Sequence, residues 1–310
     1  MNKSLFTSRD TENIRMEEYL ESLREFFKEM IPIPSGIEPS LISPAFPVKA
    51  VLLDIYGTLM ISEAGDIGLT AVEADCQSPA KIYSDSEIMK YPYGQIKTIL
   101  HDLIRKSHTI TKQQNQSIEY PEVDIISIWE QLYNFLGLKE PFIEDLIQTC
   151  LRFEIQTNKI SLMPGTIELL EELADMNIPT GIVSNAQFYT PLFLEYLLKD
   201  KLKTYNLNED ISSWSYKIGR GKPDFQIFSK PVKRLKEEFH INPEEILYIG
   251  NDMLNDIYTA SSCGLKTVLF AGDKRSLRLR KENHKVKDIS ADCIITDLSQ
   301  IIPFIRNTIS

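Results

Sequence analysis

From residue 50 onward the chain alternates short apolar runs with helical stretches. The runs are AVLLDIYG (50–57), PTGIVSNA (179–186), EEILYIGND (244–252), KTVLFAGD (266–273) and ADCIITD (291–297). Each is the length of a buried strand, and several end in a polar cluster containing Asp, Ser or Asn. Between them lie amphipathic segments such as GTIELLEELADMN (165–177), whose acidic residues fall at solvent-facing spacing, and the stretch 224–239. Strands alternating with helices imply an α/β fold, a doubly wound parallel sheet covered on both faces. In such a sheet the carboxyl ends of the strands gather the ligand site, so the polar clusters are expected to meet in space.

More than a hundred residues separate the first run from the second, far beyond an ordinary crossover, so the intervening stretch is expected to fold as its own unit. Segments 94–106, 124–137 and 141–157 read as helices, and IISIWEQLYNFLGL (125–138) is the most periodic, with Gly137 placed to end it. The expected organisation is an α/β core over 49–62 and 161–310, interrupted by a mostly helical insertion over 63–160. The region 71–92 shows no clear periodicity. Ahead of the core, residues 16–31 place Tyr19, Leu20, Leu23, Phe26, Phe27, Met30 and Ile31 at helical spacing. Five prolines in the seventeen residues that follow predict an extended strap, which completes an accessory segment over 1–48.

Charge and composition exclude several functions. A net charge of −10 argues against a non-specific nucleic-acid binder, which needs a basic surface. The basic stretch KRSLRLRKENHKVK (274–287) reads as a solvated face rather than an anion site. No apolar run approaches the roughly 18 residues of a membrane span, and the N-terminus shows no apolar signal region. The four cysteines, Cys76, Cys150, Cys263 and Cys293, show neither CxxC nor metal-ligand spacing, which suits free thiols in a cytoplasmic protein. The expected partner is a small-molecule substrate, with the chain a monomer or homodimer.

The chemistry lies in four segments taken in order. Asp54 ends the first strand, and Gly57 and Thr58 give the chain a sharp exit. Ser184 and Asn185 end the second. Lys222 lies in GRGKPDFQIF, where Pro223 and Asp224 open a helix. Asp252 and Asp256 lie in GNDMLND after the third strand. A phosphate monoester repels an incoming anion, so a carboxylate nucleophile needs a divalent cation and a lysine beside it. On this reading Asp54 attacks phosphorus and forms an aspartyl-phosphate that water later hydrolyses. Mg²⁺ takes oxygen ligands, available from Asp54, the backbone carbonyl of Tyr56, Asp252 and Asp256. Ser184 and Lys222 serve the reacting group, with Thr58 and Asn185 as substrate-binding candidates.

DIYGTL, GIVSN, GKPD and GNDMLND together resemble the four ordered motifs of the haloacid dehalogenase (HAD) superfamily, and PGTIELLEEL before the second motif is similar to that family as well. The resemblance covers residues 49 to about 300. It implies a Rossmann-like core, a helical cap of the C1 type at 63–160, and hydrolysis through Asp54, most readily as a Mg²⁺-dependent phosphatase. Two positions depart from the pattern. Tyr56 stands where the family's phosphatases usually carry an Asp that protonates the leaving group, and Asn251 stands where they often carry the first acid of the fourth motif.

Tyrosine at that position is characteristic of 2-haloacid dehalogenases, which need no metal because halide leaves unprotonated. Yet the acids of GNDMLND suit a metal, and no arginine occurs between Asp54 and Arg105 to cradle a halide. A third reading is a binding protein on the same scaffold that has lost turnover. Under the phosphatase reading, Glu63 or Asp66 in ISEAGDIG are the nearest replacements for the missing acid. Substrate choice falls to the insertion, where Tyr91, Tyr93, His101, His108, Trp129 and Arg152 are candidates along with AQFYTP (186–191).

Overall fold

The computed structural model describes residues 9–41, 46–63 and 87–309. Asp66, Cys76 and most of the aperiodic stretch 71–92 lie outside them.

The accessory segment opens with helix α1 (Arg9–Ser22), followed by a 3-10 turn at Arg24–Phe26. The helix expected over 16–31 therefore stops at Ser22, whose hydroxyl donates to the Tyr19 carbonyl and competes with the helical pattern. Its apolar residues other than Ile31, which is exposed, are nevertheless buried or half-buried as the spacing required: Leu20 and Leu23 join the main core, with Phe26, Phe27 and Met30 packed against it. The periodicity signalled burial correctly up to Met30 and helix length incorrectly.

Strand β1 (Ala50–Leu53) is buried at every position, as expected of a strand covered on both faces. The chain then turns into β2 (Met60–Ser62), and helices α2 (Tyr93–Gln114), α3 (Ile125–Phe135) and α4 (Ile143–Thr157) follow before β3 (Ile160–Leu162). β2 and β3 pair antiparallel, Met60 opposite Leu162 and Ser62 opposite Ile160. They form a two-stranded neck through which the chain leaves and returns. Glu63 and Lys159 close it with an ion pair and a backbone hydrogen bond of 2.9 Å. The three helices have an apolar cluster of their own, centred on Ile96, Trp129, Leu132, Tyr133 and Cys150. Helix α3 starts where Asp124 accepts a hydrogen bond from the Ile126 N–H, as an N-cap does.

After β3 come α5 (Thr166–Asp175), β4 (Thr180–Ser184), α6 (Tyr189–Leu198), β5 (Ser213–Trp214), the short α7 (Ser215–Ile218), α8 (Ser229–Glu238) and β6 (Ile246–Gly250). A π-helical turn, Met253–Tyr258, leads into α9 (Thr259–Ser262), and β7 (Lys266–Phe270), β8 (Cys293–Ile295) and α10 (Ile301–Ile309) complete the fold. The main sheet runs β5-β4-β1-β6-β7-β8, all neighbours parallel. From β1 the sheet grows toward β4 and β5, and from β6 toward β7 and β8. The order reverses between β1 and β6, and a crevice opens there beyond their carboxyl ends.

The strap crosses the far side of this sheet. Ser40 pairs antiparallel with Ile294 on the outer edge of β8, which covers an otherwise open strand edge. The Ile33 N–H donates to buried Asp273 at 3.1 Å, so the strap also fixes the loop after β7. Cys150, Cys263 and Cys293 are free thiols. Among the described residues, no helix is long and apolar enough to cross a membrane.

Candidate active site

Asp54 follows β1 directly and its backbone N–H donates to the Ile249 carbonyl of β6 at 3.0 Å, so the nucleophile candidate stands over the crevice. Gly57 makes the exit turn at φ +83°, and a Cβ there would lie 2.5 Å from both Asn251 Nδ2 and Ser276 Cβ. Only glycine fits a turn of that hand pressed against two loops. Gly250 is needed for a similar reason: a Cβ on it would sit 2.4 Å from Asp256 Cγ.

Lys222 is the hub. Its Nζ donates to Asp54 Oδ1 at 2.7 Å, to Asp256 Oδ1 at 2.6 Å and to the Tyr248 hydroxyl at 2.9 Å. Tyr248 in turn donates to the Val183 carbonyl at 2.8 Å. The lysine is buried, and burial alone would lower its pKa, but the carboxylates of Asp256 and Asp54 hold it above its ordinary value. It therefore stays protonated at neutral pH. Asp256 is buried too, which pushes its carboxyl up against the opposing pull of Lys222. Two backbone donors stabilise its ionised form, the N–H groups of Asn251 at 2.9 Å and Asp252 at 2.8 Å to Oδ2.

Asn185 orients the hub. Its Oδ1 accepts from the Lys222 N–H at 2.6 Å and its Nδ2 donates to the Lys222 carbonyl at 3.2 Å. Ser184, fully buried, holds only a long contact of 3.3 Å to the Asn185 carbonyl. Thr58 donates to Asn251 Oδ1 at 3.3 Å, and Asn251 Nδ2 donates to the Ser276 carbonyl at 2.6 Å. Pro223 and Asp224 stand where a helix begins, with Asp224 accepting from the Gln226 N–H.

Asp252 caps the π-helical turn, accepting from the N–H groups of Leu254 and Asn255, while Arg280 closes on the same carboxylate with Nη2 at 2.7 Å from Oδ2. Asp54, Tyr56, Asn251, Asp252, Asn255 and Asp256 border a cavity of about 40 Å³, with Lys222, Asn185 and Arg278 on its other sides. Among the described residues no cluster of three or more His, Cys, Asp or Glu side chains is arranged around a metal position. The carboxylates on the cavity nonetheless offer oxygens of the hard type that Mg²⁺ takes, and that of Asp252 is paired with Arg280.

The Tyr56 ring is buried and its hydroxyl shares a 3.1 Å hydrogen bond with Thr190. Burial raises the phenol well above its ordinary pKa, with Glu154 adding to the effect. Glu63 is exposed and paired with Lys159 at the neck, away from the cavity that Asp54 borders.

A larger cavity, about 410 Å³, lies between the inserted helices and the strand ends and meets the small one at Asn185, Lys222 and Asn255. Tyr93, His101, His108 and Trp129 line it, as do Gln187 and Tyr189 of the AQFYTP stretch. His108 Nε2 is buried there with no hydrogen-bond partner among the described residues. Arg152 points elsewhere, donating to the Tyr19 hydroxyl. Tyr91 packs at the margin of the helical cluster. Glu154 on α4 also lines the cavity, bonded to the Tyr189 hydroxyl at 2.9 Å. The sequence gives no sign of it, because one Glu on an amphipathic helix looks like any solvated acid.

Comparison with known proteins decides the family. The family model described as haloacid dehalogenase-like hydrolase matches residues 48–264. The chain belongs to the haloacid dehalogenase-like hydrolases. Among curated proteins, it is 29% identical over 143 residues to the ribulose-1,5-bisphosphate 5-phosphatase of Halopiger xanaduensis, covering 46% of this chain and 56% of that protein. It is 30% identical over 141 residues to the glyceraldehyde 3-phosphate phosphatase of Pyrococcus furiosus, covering 45% and 52%. The chain thus spans about half the length of the curated relatives it matches. Among solved structures, it is similar to a HAD phosphatase from Thermococcus onnurineus, at 20% identity and TM-score 0.42 over 82% of this chain and 96% of the other. It is also similar to the L-2-haloacid dehalogenase of Xanthobacter autotrophicus, at 17% identity and TM-score 0.45 over 84% and 98%.

Proposed function

We propose that this HAD-like hydrolase is a Mg²⁺-dependent phosphatase acting on a small phosphorylated metabolite through an aspartyl-phosphate on Asp54. The observation that carries the reading is the pairing of Lys222 Nζ with Asp54 Oδ1 at 2.7 Å. It fixes the carboxylate at the mouth of the crevice and leaves Oδ2 without a protein partner among the described residues. Asp54 then attacks phosphorus, the bond from phosphorus to the ester oxygen breaks, and that oxygen takes its proton from solvent. A water molecule attacks the same phosphorus in the second step, releasing inorganic phosphate and the free carboxylate.

Lys222 and Asn185 act by orientation and charge, and the Ser184 hydroxyl donates to a phosphoryl oxygen. Asp54, the Tyr56 carbonyl, Asp252 and, directly or through water, Asp256 would hold Mg²⁺. When bound, the ion supplies charge neutralisation between the carboxylates and the phosphoryl group. The helices over 63–160 act as the cap that selects the organic part of the substrate. The phosphorylated sugars named for the two curated phosphatases are the first compounds to try.

Tyr56 favours a second reading, a 2-haloacid dehalogenase in which Asp54 attacks carbon. A panel of phosphate monoesters, acyl phosphates and 2-chloroacids, assayed with Mg²⁺ and with chelator on wild type and Asp54→Asn, separates the two. Phosphate release that needs both Mg²⁺ and Asp54 is expected. Chloride release that survives chelation overturns the phosphatase, and binding of phosphate analogues without any turnover identifies a scaffold that has lost catalysis.

A further inference from the structure

The basic stretch after β7 is exposed at Lys274, Arg280, Lys281, His284 and Lys287, as a solvated face requires, but Arg278 within it is half-buried. Its backbone runs parallel to the fourth motif: the Arg278 N–H donates to the Asn251 carbonyl at 3.0 Å, and the Met253 N–H to the Arg278 carbonyl at 2.8 Å. Just before it, the Ser276 carbonyl accepts from Asn251 Nδ2 at 2.6 Å. Residues 276–278 are therefore fixed to the loop carrying Asp252 and Asp256, and Arg278 borders the small cavity with Asp54.

The three arginines of this stretch have different partners. Arg275 is paired with buried Asp273 and reaches the Ile31 carbonyl of the strap. Arg280 is paired with Asp252. Arg278 has no carboxylate partner among the described residues, and only its Nη1 is engaged, on the carbonyls of Arg275 and Leu277. Its Nε and Nη2 have no protein acceptor among the described residues. A half-buried guanidinium with idle donors beside a nucleophile is poorly solvated and suited to an oxyanion, whose two oxygens match its planar fork. Lys222 cannot take that part, because Asp54, Asp256 and Tyr248 already occupy it.

We propose that Arg278 is a substrate-binding residue of this site, donating to oxygens of the phosphoryl group that Asp54 attacks. The inference rests on the phosphatase reading for its substrate, while the anion site it describes is tested separately. Arg278 thus adds, beside the already paired Lys222, a positive charge that the protein itself offers an incoming dianion. The basic segment is then a functional part of the crevice, held in place from outside by the strap through Asp273.

Inorganic phosphate is the probe, titrated by calorimetry against the full chain with Mg²⁺ and with chelator. Arg278→Gln is expected to raise the phosphate Kd by about tenfold or more, the loss typical of a charge-assisted pair. Arg278→Lys should recover part of it, and Lys274→Gln, on the exposed part of the same stretch, should bind as wild type does. If monoesters are hydrolysed, KM rises in Arg278→Gln. Phosphate binding by a folded Arg278→Gln variant equal to that of wild type overturns the inference, as does a wild type that binds no phosphate. Phosphate binding that depends on Arg278 in a protein that cleaves no monoester supports the anion site and removes the phosphatase reading alone.

Discussion

Lys222 Nζ lies 2.6 Å from Asp256 Oδ1, and both groups are buried. The pair does structural as well as chemical service, since Asp256 also accepts the N–H groups of Asn251 and Asp252 and so shapes the loop after β6. Without the Asp256 carboxylate, Lys222 keeps Asp54 as its charged partner, while the Asn251 and Asp252 N–H groups lose an ionised acceptor. Asp256→Asn is expected to lower unfolding stability by about 1–3 kcal/mol, the scale of weakened buried hydrogen bonds to a charged group. Chemical denaturation measures it. A loss below about 1 kcal/mol, the scale of an exposed pair, shows that water already solvates the site.

The buried phenol of Tyr56 cannot act as a base near neutral pH, because burial holds its pKa above that of a free tyrosine. Under the phosphatase reading, hydrolysis of the aspartyl-phosphate therefore limits turnover. Rapid mixing with a chromogenic monoester is expected to show a burst of leaving group stoichiometric with enzyme. In Tyr56→Asp the burst should shrink and the steady rate rise, within the roughly hundred- to ten-thousandfold range of general acid-base help. No burst in wild type means that the first step is the slow one and that Tyr56 is not the bottleneck.

The sheet and the hub of the site were legible in the sequence because both depend on local signals. Buried parallel strands read as apolar runs, and Asp54, Ser184, Lys222 and Asp256 sit at their ends or in the loops that follow, where the topology gathers them. What the sequence hid depends on distant pairing. Tyr248 looks like one more β-forming residue of its strand, yet its hydroxyl joins Lys222 to Val183. Arg278 looks like one cation in a charged run, and only the backbone ladder to Asn251 and Met253 brings it beside the small cavity. Glu154 looks like a helix-surface acid until α6 packs over it.

Under the Mg²⁺ reading Asp252 is the first-choice metal ligand, and Arg280 is paired with the same carboxylate. The pair is partly exposed, with 37% of the Arg280 side chain accessible, so breaking it costs only about 1 kcal/mol. Arg280→Gln is accordingly expected to tighten divalent-ion binding by roughly fivefold, the equivalent of that energy. Paramagnetic resonance with Mn²⁺ in place of Mg²⁺ reads the affinity directly, without turnover. Unchanged or weaker binding excludes Asp252 from the ligand set and leaves Asp54 and the Tyr56 carbonyl as the core of it.

Glu154 gives a prediction about pH. Burial raises its pKa above the usual glutamate value, while hydrogen bonds from Asn158, just past the end of its helix, and Tyr189 on α6 pull the other way. Tyr56 and Cys150 are the other titratable groups facing it, both held neutral by burial. Across the window between its ordinary and its raised pKa, the folded chain keeps a proton that the unfolded chain has released. Folding stability attributable to Glu154 therefore falls as pH rises through that window, and it levels off above it. Glu154→Gln removes the dependence while keeping the shape and one acceptor for Tyr189. The difference in unfolding free energy between variant and wild type should move in the variant's favour from acidic pH toward neutrality. Denaturant titrations on both sides of the window measure it. A difference that does not change with pH means that Glu154 titrates alike in the folded and unfolded chain, and that the large cavity solvates it fully.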